Sequence, residues 1–226
     1  MLKRIKLILQ KGSFIKSIYY NFKYLTFGQA FNFPLIVAKN CTINGNGKIK
    51  LPKYKNLKIY LGQKTLKWDN EKKNYTYIFV NGILEFTGDI FVGLGTKIEV
   101  SENAYLKFGK SVTLTGNSKI ICKNNIEFGD DNLISWDTLF LDSDGHTIIS
   151  NNTKNNDGKI KIGNHVWIGC NTTVKKNTVI ANNVVVASNS VLVKEYKGEN
   201  IILAGNIAKT VKENIEWSID IPKRSI

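Results

Sequence analysis

Residues 162–190 read IGNHVWIGCNTTVKKNTVIANNVVVASNS, and an aliphatic side chain returns there at every sixth position: Ile162, Ile168, Val174, Ile180 and Val186. The residues that follow them are Gly163, Gly169, Lys175, Ala181 and Ala187, four of the five small. Four places after each aliphatic stand Val166, Thr172, Thr178, Val184 and Ser190, all small or β-branched. An amphipathic helix repeats at about 3.6 residues and a half-buried strand at two, so neither produces this period. A triangular prism does, with short strands as flat faces and tight corners between them. The expected class is all-β, with parallel strands stacked coil upon coil.

In such a prism the recurring aliphatic points inward and stacks on its equivalent in the next coil. Small neighbours leave room where the chain turns. Asn164, Asn171, Asn177 and Asn183 suit the corners, because Asn accepts left-handed backbone angles more readily than most residues. No single coil buries a core, so the stack is the folding unit.

The register continues upstream less regularly, through Val92, Phe108, Leu114, Ile120, Phe128, Ile134 and Phe140, with a slip between Ile120 and Phe128. A polar insertion, SNNTKNNDGK at 150–159, is expected to project as a loop. The regular prism is expected over about 78–205, with strand-like pieces such as Cys41–Ile43 and Leu57–Tyr60 beginning it. This divides the chain into a leader (1–37), a β-helical domain (38–207) and a C-terminal helix and tail (208–226). The tail KTVKENIEW reads as a short closing helix. Residues 2–25 mix Leu2, Ile5, Ile8 and Leu9 with Lys3, Arg4 and Lys6 as a basic amphipathic helix. Two readings of it stand: peripheral contact with an anionic membrane, or a cap packed on the end of the prism.

Charge narrows the partners without choosing one. Lys and Arg number 32 against 18 Asp and Glu, so the surface attracts nucleic acid, anionic lipid, acidic glycans or the phosphates of a cofactor. No helix-turn-helix, RNA-recognition or zinc motif supports nucleic acid. The three cysteines, Cys41, Cys122 and Cys170, lack CxxC spacing and read as free thiols in a reducing cytosol. No stretch has the roughly 20 apolar residues needed to span a bilayer. The basic N-terminus lacks the apolar core and cleavage site of a signal peptide. A cytoplasmic protein, peripheral at most on the inner membrane face, is expected.

Only two histidines are present. His146 ends LFLDSDGH, just before the insertion, and His165 sits in the corner of IGNHVW. Histidine is the usual general base near neutral pH. Asp142 and Asp144 stand close enough in sequence to orient it or to bind a substrate hydroxyl. The same DSDGH also reads as a polar turn closing a strand. Two histidines cannot supply a three-histidine metal site in one chain, and no metal is expected.

ISWDTLFLDSDGH (134–146) and KIKIGNHVWIGCNTTV (159–174), with the later AGNIAK (204–209), resemble bacterial sugar and polysaccharide O-acetyltransferases of the left-handed β-helix superfamily. NFKYLTFGQAFNFPLIV (21–37) looks like the leader of its polysaccharide-modifying members. The resemblance implies a left-handed parallel β-helix, acetyl-CoA as acyl donor, a sugar or glycan acceptor, and a homotrimer with active sites between subunits. It implies that His146 takes the proton from the acceptor hydroxyl, with Asp142, Asp144, Trp136 and Trp167 on the acceptor side. Cys170 and Ser188 fall where the pantetheine arm runs, and Lys194, Lys209 and Lys212 where its phosphates lie. AGNIAK departs from the common form, which has proline where Ile207 stands. An N-acetyltransferase of amino sugars and a non-enzymatic β-helical scaffold remain as rival readings.

Overall fold

The computed structural model describes residues 2–53, 56–65, 70, 73–147, 149–150, 153–154 and 158–219. Its strands form three parallel sheets, the faces of a left-handed prism. The first face runs from Leu35–Val37 to Ile201–Ala204, the second from Cys41–Asn44 to Val191–Leu192, and the third from Lys48–Lys50 to Glu195–Tyr196. Consecutive strands lie on successive faces, so each face pairs coil with coil.

The six-residue period is legible in the core. Ile162, Ile168, Val174, Ile180 and Val186 are all buried and fall on the third, first, second, third and first faces in turn. On the third face Phe86, Phe108 and Phe128 occupy one column, their rings stacked at 5.7 and 5.0 Å, and Phe140 meets Phe128 edge-on at 4.9 Å. Because Ile168 and Ile180 are each at most 1% exposed, Ile168→Ala and Ile180→Ala leave cavities. Each is expected to cost roughly 2–5 kcal/mol of stability in denaturant melts.

The structure corrects the sequence reading in several places. The coil begins at Leu35, three residues before the domain boundary read at 38, and Cys41–Asn44, one of the strand-like pieces, pairs with Thr76–Val80. One irregular step, the seventeen residues from Leu61 to Ile78, falls at the corner from the first face to the second, and several fall at the corner from the second face to the third. From Ile98 to Phe108 it takes ten residues, from Ile120 to Phe128 eight, and from Phe140 to Ile162 twenty-two. The slip is a longer corner, and the insertion lengthens that same corner. Within the insertion Ile149–Ser150 pairs antiparallel with Thr153–Lys154, while 151–152 and 155–157 lie outside the described residues.

At the corner from the third face to the first, the left-handed residue of this coil is His165 (φ 55°), not Asn164. Asn164 instead joins a side-chain ladder: its Oδ1 accepts from Asp130 N at 2.8 Å, and its own N–H donates to Asn182 Oδ1 at 2.8 Å. Each short polar side chain thereby holds the backbone of the coil before it.

Both ends of the stack are covered. Helix α1 (Leu2–Lys11) is followed by α2 (Phe14–Tyr24) and a single turn, α3 (Phe27–Ala30). The free edge of Leu35–Val37 would offer unpaired backbone groups. Ser17 and Asn21, one turn apart on α2, meet it: Val37 N donates to Ser17 Oγ (3.0 Å), Leu35 N to Asn21 Oδ1 (3.1 Å), and Asn21 Nδ2 to Leu35 O (2.8 Å). One face of the leader is therefore a cap. At the other end the expected closing helix is a strand, Lys209–Lys212, antiparallel to Ile201–Ala204. An open sheet edge was there to be paired, and this outweighed helix propensity.

Candidate active site

The turn carrying His146 is fastened at its base. Asp142 is fully buried, and its two carboxylate oxygens accept the N–H of Lys123 at 2.7 Å and of Asn124 at 2.9 Å. Its carbonyl accepts Gly158 N at 2.9 Å, and Gly158 O accepts Asn124 Nδ2 at 3.1 Å. The insertion thus leaves and rejoins the prism at adjacent points, closed by Asp142, Asn124 and Gly158. This engagement gives Asp142 a structural task, with both carboxylate oxygens already accepting backbone N–H groups. The turn tightens as Gly145 N donates to Ser143 Oγ (3.1 Å), with Gly145 at φ 73°. Asp144 pairs with Lys176 Nζ at 2.6 Å, half-buried, which ties the turn to the next coil. His146 follows, exposed.

Trp136, Cys170 and Ser188 fall in one column at the opposite corner, from the first face to the second. They follow paired Ile134, Ile168 and Val186 by the same two residues. Cys170 Sγ lies 3.3 Å from Ser188 Oγ, and a side chain at Gly169 would strike Ser188 N at 2.6 Å. Gly169, Cys170 and Ser188 thus form a narrow strip of small groups beyond Trp136. The other two thiols are inert: burial pushes Cys41 up to about 12, and burial with the Asp142 carboxylate pushes Cys122 well above the usual thiol range.

Trp167 stands on the outer side of the first face, its Nε1 donating to Ser135 Oγ at 3.2 Å. The tail returns beside it. Trp217 stacks on His165 at 4.1 Å, donates from Nε1 to His165 O at 2.9 Å, and reaches Trp167 at 6.0 Å. Sequence reasoning missed Trp217, whose signal was one aromatic residue in a polar tail. It also missed Lys176 and Lys197. Lys194 and Lys209 line one recess together with Lys197 and Tyr196, while Lys212 lies outside that lining. Among the described residues no three His, Cys, Asp or Glu side chains converge as for a metal.

One chain does not unite the expected site. Trp136 and Asp142 stand at the two ends of a single second-face segment, six residues apart. At about 3.3 Å per residue this separates the His146 corner from the Cys170–Ser188 corner by roughly 15–20 Å.

Fold and repeat together define a hexapeptide-repeat β-helix. The family model described as "Bacterial transferase hexapeptide (six repeats)" matches residues 159–194. Over 190 residues the chain is 30% identical to the "Uncharacterized 24.8 kDa protein in cps region" of Klebsiella pneumoniae, covering 82% of this chain and 84% of that one. Over 146 residues it is 34% identical to the polysialic acid O-acetyltransferase of Escherichia coli O1:K1 / APEC, covering 63% of this chain and 45% of that protein. The crystal structure of the polySia-specific acetyltransferase NeuO aligns at 22% identity and a TM-score of 0.47, covering 82% of this chain and 92% of that one. The chain belongs to the hexapeptide-repeat acyltransferases, a family of enzymes.

Proposed function

We propose that this protein is an acetyl-CoA-dependent O-acetyltransferase acting in the cytoplasm on a sugar hydroxyl of a bacterial surface glycan or its precursor. The observation that carries the reading is the His146 turn. It is the longest excursion from the prism, it is fastened at its neck by Asp142, Asn124 and Gly158, and it presents an exposed imidazole. A ring nitrogen takes the proton from the acceptor hydroxyl as that oxygen attacks the thioester carbonyl. The C–S bond breaks, the coenzyme leaves as its thiol, and no covalent enzyme intermediate is needed. Asp144, held by Lys176, fixes the turn. Trp136 and Trp167 offer flat surfaces to the acceptor. The strip at Cys170 and Ser188 fits the pantetheine arm, and Lys194 and Lys209 fit the phosphates.

The separation of the two corners supports a homotrimer in which one copy supplies His146 and its neighbour supplies the coenzyme strip. The outer sides of the faces differ in a way that favours this. On the third face Lys50, Glu85, Lys107, Glu127 and Lys161 alternate in sign from coil to coil, as suits water. On the first, Tyr60, Phe91, Leu133, Trp167 and Val185 form a mainly apolar column, as suits a subunit contact.

The test is a panel of soluble and lipid-linked sugars offered to the purified protein with acetyl-CoA, following free thiol. Acceptor-dependent thiol release with an alkali-labile acetyl ester is expected. An alkali-stable acetamide would replace the hydroxyl acceptor with an amine, and release indifferent to every sugar would remove the sugar transferase reading.

A further inference from the structure

The net charge of +14 is carried by the first part of the sequence. Residues 1–68 contain 14 Lys and Arg and no Asp or Glu, the first acid being Asp69; the remaining 158 residues hold 18 basic and 18 acidic side chains. Twelve of these basic residues are described, and they lie in α1 to α3, the first coil and the start of the second, so the prism is electrically polarised along its axis.

That same end carries an apolar surface that the cap does not use. The inward side of α2 is Ser17, Tyr20 and Asn21, all buried. Its outward side shows Ile15, 79% exposed, and Tyr19 and Phe22, in steps of four and three that form one helical stripe. The stripe runs on into Phe27 and Phe31, 72% and 50% exposed. Phe22, Phe27 and Phe31 form an edge-to-face cluster, with centroids 4.7 to 6.0 Å apart. Rings packed on one another but left open to water form a projecting knuckle. Lys23 Nζ lies 4.9 Å from the Tyr24 ring and 5.8 Å from Tyr19, and Lys6 and Lys11 are exposed nearby in sequence. No helix among the described residues is long and apolar enough to cross a membrane.

We infer that this end docks on an anionic lipid surface, with Ile15, Phe22, Phe27 and Phe31 entering the boundary between headgroups and acyl chains and the lysines facing the headgroups. Aromatic and aliphatic groups set among cations suit that boundary. A second copy fits less well, because joining two such patches brings two strongly positive ends together. Nucleic acid would use the charge and the rings but gives Ile15 no partner. The inference is independent of the transferase reading, since it involves none of the residues placed at the active site. Within the basic amphipathic stretch read from the sequence at 2–25, Ile8 is fully buried and Ile15 is exposed, and the membrane-facing residues run on to Phe27 and Phe31 of α3.

The experiment is co-sedimentation of the full chain with phosphatidylcholine vesicles, with and without phosphatidylglycerol. Acetyl transfer to a soluble acceptor is followed in the same samples. Binding is expected only with the anionic lipid and is expected to weaken as salt rises past 0.1 M, where charges are screened beyond about 10 Å. Phe27→Ser with Phe31→Ser, and separately Lys6→Glu with Lys11→Glu, should each lower partitioning about tenfold or more while transfer is unchanged. Ile15→Ser, at a position with little packing to lose, should weaken binding without touching the ring cluster. Equal binding by all variants, equal binding to neutral vesicles, or displacement of vesicles by nucleic acid at low ratios overturns the inference. So does an absence of wild-type vesicle binding together with self-association that the Phe variants abolish.

Discussion

His146→Ala is expected to lower acetyl transfer by about a hundredfold or more, with folding and coenzyme binding nearly unchanged. The expectation rests on the turn's construction. Asp142, Ser143 and Asp144 fasten it through bonds of their own, and those bonds remain when the imidazole is removed. The variant should therefore keep the turn while losing the proton acceptor. The check is a pair of measurements, thiol release under saturating acetyl-CoA and the coenzyme dissociation constant. A variant with close to full activity and normal binding removes His146 from the mechanism. His165→Asn is the contrasting case. His165 holds a left-handed corner at φ 55°, in the same position as Asn183 in the next coil at φ 57°. Asn suits that backbone, and the loss is limited to the ring stack on Trp217 and the 3.1 Å contact of Nε2 with Trp217 O, so most activity should remain.

The two histidines also show how far the sequence could be read. Inward residues at a spacing of six are set by local geometry, because every coil must return to the same column. Ile162 to Val186 could therefore be placed without a structure. The corner from the second face to the third obeys no such constraint. Extra residues there project outward and leave the stack intact, so its length drifts from coil to coil and breaks the pattern. His146 lies near the start of the longest of these departures, outside the run of six-residue repeats, which is why the repeat did not point to it and the motif DSDGH did. Asp142 reads in sequence as a partner for His146. Burial turns it into an acceptor for two backbone N–H groups, because the lengthened corner leaves those donors otherwise unmet. The tail misled for a similar reason. KTVKENIEW has helical propensity, but the last coil presents an open edge, and pairing with it satisfies a row of backbone groups that a detached helix would leave bare.

The distance between the corners leads to the second large effect. If His146 acts with the Cys170–Ser188 strip of a neighbouring copy, two separately inactive variants should restore one another. Ser188→Trp would fill the strip with a large ring at an exposed position next to Cys170, blocking the pantetheine arm while leaving His146 intact. His146→Ala would do the reverse. Alone, each should fall to about a hundredth of wild-type activity or less. Co-assembled at equal ratio, a ring of copies in head-to-tail contact draws an intact histidine corner at half its sites and an intact strip at half. About a quarter of the sites then receive both, and activity should rise to about a quarter of wild type. A site contained within one chain gives no such recovery, since every chain in the mixture carries one defect. Mass measurement must show mixed trimers before the activity is read. Mixed trimers that stay as inactive as either parent would place both corners' chemistry in a single subunit.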